Sequence, residues 1–324
     1  MAKFLLIRFS SIGDIILTTP IIRAIKQQIP DAEVHFLTKK NFVGLIKHNP
    51  YVSKVFEYDN SLSSLLPDLK KENYSHVLDL HKNLRSAQVV ISLKKPSSNF
   101  DKLNIEKWLA VNLKVNKLPN THLVDRYFKA FASLGIQNDN QGLNYFPNPS
   151  TNIPQLPPSF SSNFMVWAIG GTHFTKRLPP ESIRSTLEKI TYPCILLGGK
   201  EDETTGESIA KGLPHVLNLS GLTSIDESAL LIKASKLVVS NDTGMMHIAA
   251  AFRKKTISIW GNTIPEFGMF SYQDPSNVIN MENSDIKCRP CSKLGFSNCP
   301  QKHFQCMKNL SIDALISNIN SFWN

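Results

Sequence analysis

The sequence predicts an α/β protein of two doubly wound, parallel-sheet domains facing each other across a cleft, and three observations carry that reading. Short apolar runs alternate with helical periodicity through both halves of the chain. Two strand-ends, 228 residues apart, run into glycine-containing turns that carry a carboxylate, Asp14 and Asp242. Between the halves, residues 136–163 hold five of the 19 prolines and many Asn and Ser but almost no charge, which is linker composition. A first domain at 1–150 and a second beginning at 151 follow.

The elements can be taken in order. Residues 3–9 form a first strand, Ser10-Ser11-Ile12-Gly13-Asp14 the turn, and apolar residues at 15, 16, 21, 22, 25 and 29 a helix. Pro20 either kinks that helix or opens a second one capped by Thr18 or Thr19. Strands at 33–38, 53–57 and 76–80 alternate with helices near 41–47, 61–72 and 84–93. Trp108 and residues 121–134 read as further helices, the latter capped by Gly135. The second half repeats the pattern. Its strands fall at 164–169, 193–198, 215–219, 236–240 and 255–260, and its helices at 180–189, 204–212, 224–234 and 244–253.

With 324 residues, 42% hydrophobic and 19% charged, the chain is long enough for two ordinary cores. The N-terminus lacks a signal-peptide layout, and no apolar run approaches the roughly 20 residues of a membrane span, so a cytoplasmic protein is expected. The net charge of +10 is uneven. Residues 1–135 carry 20 Lys and Arg against 11 Asp and Glu; the remainder carry 16 against 15. A basic first domain attracts a polyanion: nucleic acid, an anionic membrane face or a phosphorylated glycolipid. No recognition helix, basic arm or aromatic sheet motif supports nucleic acid. A basic surface that is merely solvated stays open.

Four of the five cysteines, Cys288, Cys291, Cys299 and Cys306, follow the spacing C-x2-C-x7-C-x6-C with His303 inside it. That spacing admits zinc, but the second pair is wider than in zinc ribbons. A packed, redox-sensitive loop without metal is the reading preferred here, and reducing surroundings argue against disulfides.

Ser240 to Ala251 is the most informative stretch. Leu237-Val238-Val239 reads as a buried strand, and Asn241-Asp242-Thr243-Gly244 turns from it into an alanine-rich helix. Free N–H groups at that helix start, with the helix dipole, form a phosphate site, and His247 lies one turn in from Gly244. An Asp cap with a buried His is the plain alternative. Gly170-Gly171-Thr172 through Lys176 follows a strand and supplies backbone that approaches a ligand closely, a hydroxyl and a cation. No Asp-x-Asp occurs, so these groups, not a metal, are expected to hold a diphosphate; Glu201-Asp202-Glu203 reads equally as a turn. Asp202 and Leu222 are two further candidate binding residues in this half. Asp14 is the candidate general base or, equally compatibly, a helix cap. His81, Lys82 and Arg85 put three potential cations at the same sheet edge for an anionic acceptor, with His122 and Arg126 as weaker candidates.

At this point the chain resembles glycosyltransferase family 9, the bacterial lipopolysaccharide heptosyltransferases. The matching pieces are Ile7 to Asp14 with Thr19-Pro20, Lys176-Arg177-Leu178-Pro179, Leu197-Gly198-Gly199 with Glu201-Asp202, and Asn241 to Gly244 through His247 to Ala250. They stand in the family's order over residues 3 to about 310. The resemblance implies the GT-B architecture, with a nucleotide-sugar domain at 151–310 and a C-terminal segment, 311–324, that packs back on the first domain. It also implies an inverting, single-displacement transfer with Asp14 as base and contacts from Thr172 and Lys176 to donor phosphates. Relatives often carry Thr at the Gly171 position, so one contact is lost here. An ADP-heptose donor and an anionic lipid A-core acceptor follow, with no cofactor or metal, by a monomer peripheral on the inner face of the inner membrane. A Rossmann oxidoreductase is the alternative from another class, although Gly-x-Gly-x-x-Gly is missing after the first strand. A non-catalytic nucleotide- or nucleic-acid-binding protein is the third.

Overall fold

The computed structural model describes every residue except Met1 and Ser162. The chain divides into two compact units. Unit 1 holds residues 1–102 and 121–149, and unit 2 holds 103–120 and 150–324.

Unit 1 is built on five parallel strands: β1 (Lys3–Ile7), β2 (Glu33–Lys39), β3 (Lys54–Tyr58), β4 (His76–Asp79) and β5 (Ser97–Asn99). Their spatial order is β3-β2-β1-β4-β5. The sheet therefore reverses direction between β1 and β4, where Ile7 lies opposite Asp79. Among the described residues, the first half of the chain has the α-helices α1 (Ile12–Ile16), α2 (Thr19–Gln28), α3 (Gly44–Lys47), α4 (Leu66–Lys71), α5 (Leu84–Leu93), α6 (Asn104–Trp108) and α7 (Leu123–Ala130). Leu5, Ile7, Phe9, Leu37, Val77 and Val89 anchor the core of unit 1, each fully buried. Each such side chain contributes about 1.5–3 kcal/mol by leaving water. Pro20 sits in the first turn of α2, so the second helix, not a kink, is the outcome.

Unit 2 carries six parallel strands: β6 (Met165–Ala168), β7 (Cys194–Leu197), β8 (Val216–Asn218), β9 (Leu237–Asn241), β10 (Lys255–Trp260) and β11 (Val278–Glu282). Their order is β11-β10-β9-β6-β7-β8, so the direction reverses between β6 and β9. Helices α8 (Pro180–Leu187), α9 (Glu203–Ala210), α10 (Ile225–Ala234), α11 (Gly244–Ala251), α12 (Gln305–Lys308) and α13 (Ile312–Trp323) follow. β6, β7 and β9 are buried along their whole length, as parallel strands covered on both faces must be.

The structure refines the sequence reading in several places. Helix α13 packs into unit 2. Leu315, Ile319 and Phe322 of α13 lie on one helical face inside the core of unit 2. Trp323 stacks on Tyr192 with ring centroids 4.4 Å apart. The stretch read as linker begins later than composition suggests. Buried Arg23 on α2 grips both oxygens of Asp139 at 2.7 Å and the Gly142 carbonyl at 2.9 Å, tying residues 136–149 into unit 1. Residues 103–120 in turn belong to unit 2, because Ala110, Val111 and Leu118 pack with Ile264 and Phe267. β5 and β11 were not predicted, being a polar triplet and a half-exposed edge.

Candidate functional site

In open α/β sheets ligands gather at the carboxyl ends of strands where the order reverses. Unit 1 places Asp14 there, in α1 directly beyond β1. Its Oδ2 accepts the Ser11 backbone N–H at 3.1 Å and the Ser11 hydroxyl at 2.8 Å, so it caps α1. Its Oδ1 meets Nη2 of Arg8 at 2.5 Å. Arg8 is fixed in turn, donating from Nε to the Ser10 carbonyl at 2.8 Å and from Nη1 to the Leu80 carbonyl at 2.5 Å. Burial pushes the Asp14 carboxyl up, but Arg8 and the Ser11 donors outweigh it and hold the carboxyl below its ordinary value. The side chain keeps 20% of its surface exposed, so this ionised carboxylate remains reachable.

The neighbouring loop after β4 is organised by a residue that sequence reasoning passed over. Asp79 accepts the backbone N–H groups of His81 (3.0 Å) and Lys82 (2.7 Å) on one oxygen and the Ser86 hydroxyl (2.7 Å) on the other. It shapes residues 81–86, with Lys82 at φ 50°, and Asn83 caps α5. Of the three expected cations only two are charged. Burial, with Arg8 and Lys102 nearby, lowers the His81 imidazole to about 4, so at neutral pH it is an uncharged ring set edge-on to Phe9. Lys82 donates to the Phe100 carbonyl at 3.0 Å. Arg85 is exposed and lies over the Tyr58 ring at 4.9 Å, an orientation that leaves its N–H fork open. His122 caps α7, accepting the Val124 N–H, and Arg126 is buried one turn on.

Unit 2 brings the donor candidates together at the β6–β9 reversal. Asn241 joins the loops: its amide donates to the Ile169 and Gly170 carbonyls, each at 3.1 Å, and its oxygen accepts the Leu178 N–H at 3.1 Å. That clamp aligns the segment bearing Lys176 with the end of β9. Nζ of Lys176 lies 2.6 Å from Oδ2 of Asp242 and 3.3 Å from the Asp242 carbonyl. Thr263 donates to the same Oδ2 at 2.8 Å. Asp242 thus aims the lysine, and an ammonium with three donors keeps one for a ligand. Thr243 precedes α11 without a side-chain cap, leaving the first-turn N–H groups of Gly244 to Met246 uncapped by it. Thr172 is exposed in the loop after β6, while His247 is buried on α11.

Asp202 is enclosed by its own loop, by Arg177 and by two glycines. Asp202 is buried, accepting the Gly199 N–H at 2.9 Å and pairing with Nη1 of Arg177 at 2.9 Å. A Cβ on Gly170 or Gly198 would run into the Asp202 side chain. These glycines leave room for the Asp202 side chain. Burial raises the Asp202 carboxyl above its ordinary value despite the Gly199 and Arg177 contacts. Leu222, by contrast, is largely exposed just beyond β8. The cysteine loop holds free thiols, with Cys291 donating to the Cys288 carbonyl at 3.1 Å and Cys288 3.8 Å from His303. Among the described residues no group of three or more His, Cys, Asp or Glu is arranged to hold a metal.

The family model described as glycosyltransferase family 9 (heptosyltransferase) matches residues 62–296. A lipopolysaccharide heptosyltransferase 1 of Campylobacter coli is 25% identical over 289 residues, covering 81% of this chain and 84% of that protein. The solved ADP-heptose lipopolysaccharide heptosyltransferase II of E. coli aligns with a TM-score of 0.71 at 19% identity, over 99% of this chain and 98% of that one. An E. coli heptosyltransferase solved with ADP-2-deoxy-2-fluoro heptose gives 0.68 at 20% identity, over 98% and 99%.

Proposed function

The chain belongs to glycosyltransferase family 9, the heptosyltransferases, with two units of the GT-B type, and from that premise we propose that it moves a heptose from ADP-heptose to the anionic inner core of a lipopolysaccharide, inverting the anomeric carbon. The names of the relatives support the donor and acceptor classes. One observation carries the chemical part of the reading: a reachable carboxylate, Asp14, held ionised by Arg8 at the reversal point of the basic unit.

In this reading the first-turn N–H groups at Gly244, the remaining donor of Lys176 and the Thr172 hydroxyl hold the diphosphate. Asp242 and Asp202 position those groups, Thr243 shapes the helix start, and His247 supports it from within. Leu222 offers an apolar surface to the nucleoside. Arg85 and Lys82 meet acceptor anions, His81 contributes an uncharged ring, and Arg126 backs that surface. These donor-side charges, and not a divalent cation, take up the charge of the departing ADP.

The reaction balances in one displacement. The acceptor oxygen bonds to the anomeric carbon as the bond to ADP breaks with its electron pair, and the hydroxyl proton passes to Asp14. A carboxylate held below its ordinary value is a weak base, which suits an oxocarbenium-like transition state in which the alcohol loses its proton late. A monomer working against the inner membrane face completes the proposal.

The experiment is Asp14→Asn, assayed with ADP-heptose and a core acceptor. Turnover should fall about 10²–10⁴-fold, while ADP affinity measured by calorimetry stays unchanged. Product of opposite anomeric configuration to the donor is expected by NMR. Near-normal turnover in the variant, or retained configuration in the wild type, would overturn the reading.

A further inference from the structure

The cysteine-bearing loop of unit 2 has a connection to the donor site that its thiols do not explain. Arg289, inside Cys288-Arg289-Pro290-Cys291, is buried and turns its whole guanidinium on the protein. Nε donates to the Gly261 carbonyl at 2.5 Å and Nη1 to the Asn283 carbonyl at 2.7 Å. Nη2 donates to the Thr263 carbonyl at 2.9 Å and to the Glu282 carboxylate at 2.6 Å. The Cys291 N–H donates to the Asn262 carbonyl at 2.9 Å. All three carbonyls of Gly261-Asn262-Thr263, the turn that leaves β10, are therefore held by this loop. A Cβ on Gly261 would run into the Thr175 carbonyl, so glycine is what lets the turn lie against the segment bearing Lys176.

The turn and the loop converge on that lysine. The Thr263 hydroxyl donates at 2.8 Å to Oδ2 of Asp242, the same oxygen that lies 2.6 Å from Nζ of Lys176. Thr263 is only 2% exposed, whereas the Lys176 side chain keeps 17% of its surface open. The hydroxyl thus acts on the carboxylate, and the lysine faces outward. Thr175, the residue before Lys176, is clasped as well. Its hydroxyl accepts the Phe296 N–H at 2.9 Å, its N–H donates to the Phe296 carbonyl at 3.2 Å, and its carbonyl accepts the Asn262 N–H at 3.4 Å.

We propose that Thr263, backed by Arg289, is a positioning residue of the donor site. Arg289 fixes the backbone of the turn after β10. The Thr263 hydroxyl then holds the Asp242 carboxylate in one orientation, and that carboxylate directs the Lys176 ammonium at the diphosphate of a nucleotide sugar. This rests on the reading that Lys176 holds the donor diphosphate. A lysine has much rotamer freedom to lose when it grips a ligand, and a lysine ordered beforehand loses less, so the arrangement raises affinity without adding a contact.

The test is a double-mutant cycle in ADP affinity, measured by calorimetry on the full chain. Thr263→Val keeps the shape of the side chain and removes the hydroxyl. It should bind ADP about tenfold more weakly, the low end for a hydrogen bond to a charged group. Thr263→Ser restores the hydroxyl and should restore the affinity. In a Lys176→Ala background, Thr263→Val should lower affinity no further, because its effect passes through the lysine. Arg289→Lys keeps the charge but not the planar fork, and should follow the same pattern. Thermal unfolding shows which variants are folded; should Arg289→Lys fail to fold, the Thr263 variants decide. Unchanged affinity in Thr263→Val overturns the proposal, as does a Thr263→Ser protein as weak as Thr263→Val. So does a loss that recurs in full in the Lys176→Ala background, which marks a role in the fold alone. Each of these leaves the donor reading standing. Lys176→Ala with wild-type affinity for ADP refutes the donor reading itself, and this inference with it.

Discussion

Replacing Arg8 with methionine removes the guanidinium while keeping a side chain of similar reach. The substitution breaks the 2.5 Å contact to Asp14 and leaves the Ser10 and Leu80 carbonyls without their donor. Removing one partner of a buried pair costs about 3–5 kcal/mol. Asp14 retains its Ser11 donors and some exposure, so the low end, about 3 kcal/mol, is expected. For a domain of this size, at about 4 °C per kcal/mol, unit 1 should unfold about 12 °C earlier. The pH dependence follows in sign. In the wild type the carboxyl is held below its ordinary value, so the ion pair stabilises the fold above about pH 4 and is lost as pH falls through the lowered value. Without Arg8, only the Ser11 donors oppose burial, and the carboxyl rises. The acidic limb of the turnover profile should then move to higher pH, and turnover at neutral pH should fall about 10²-fold from lost orientation. Thermal unfolding and a pH–rate profile at saturating donor measure both. An unchanged acidic limb with normal turnover would show that Arg8 does not set the state of the base.

Three further outcomes are expected. Lys176→Ala should weaken ADP binding by about 1.5–3 kcal/mol in calorimetry, since the Asp242 carboxylate is left facing the diphosphate; an unchanged affinity would place the diphosphate elsewhere. Gly170→Ala should destabilise unit 2 by about 1–3 kcal/mol, because the added methyl collides with the Asp202 carboxylate; an unchanged melting temperature would refute that packing. His81 resists protonation in the fold down to about pH 4, whereas the unfolded chain takes the proton near about 6.5. Stability should therefore fall as pH drops between those values, and His81→Gln should flatten that decline; an identical decline in both proteins would remove His81 as its source.

The architecture was readable because parallel strands buried on both faces leave continuous apolar runs, as in Leu237-Val238-Val239 and Cys194 to Leu197. Edge strands β5 and β11 escaped because an edge needs no such run. The site split in the same way. Glycine turns and single carboxylates at strand ends marked where chemistry gathers. What each group touches depends on partners distant in sequence. That Asp202 packs against Gly170 and Gly198 and pairs with Arg177 could not be read from spacing. Asp79 was hidden inside the apolar run Val-Leu-Asp-Leu, yet a carboxylate there has to find donors, and that was the available signal. Arg8 left a similar trace, a cation ending a buried strand. Arg23 left none, because its partner Asp139 lies more than a hundred residues away in a stretch that reads as linker.

The division of the chain also has a genealogical side. The polypeptide passes from one unit to the other three times, after residues 102, 120 and 149. A chimera cut once near residue 150 would therefore carry residues 103–120 of one parent against Ile264 and Phe267 of the other. Recombination that swaps unit 2 between relatives has to exchange that excursion as well, or match its apolar seam.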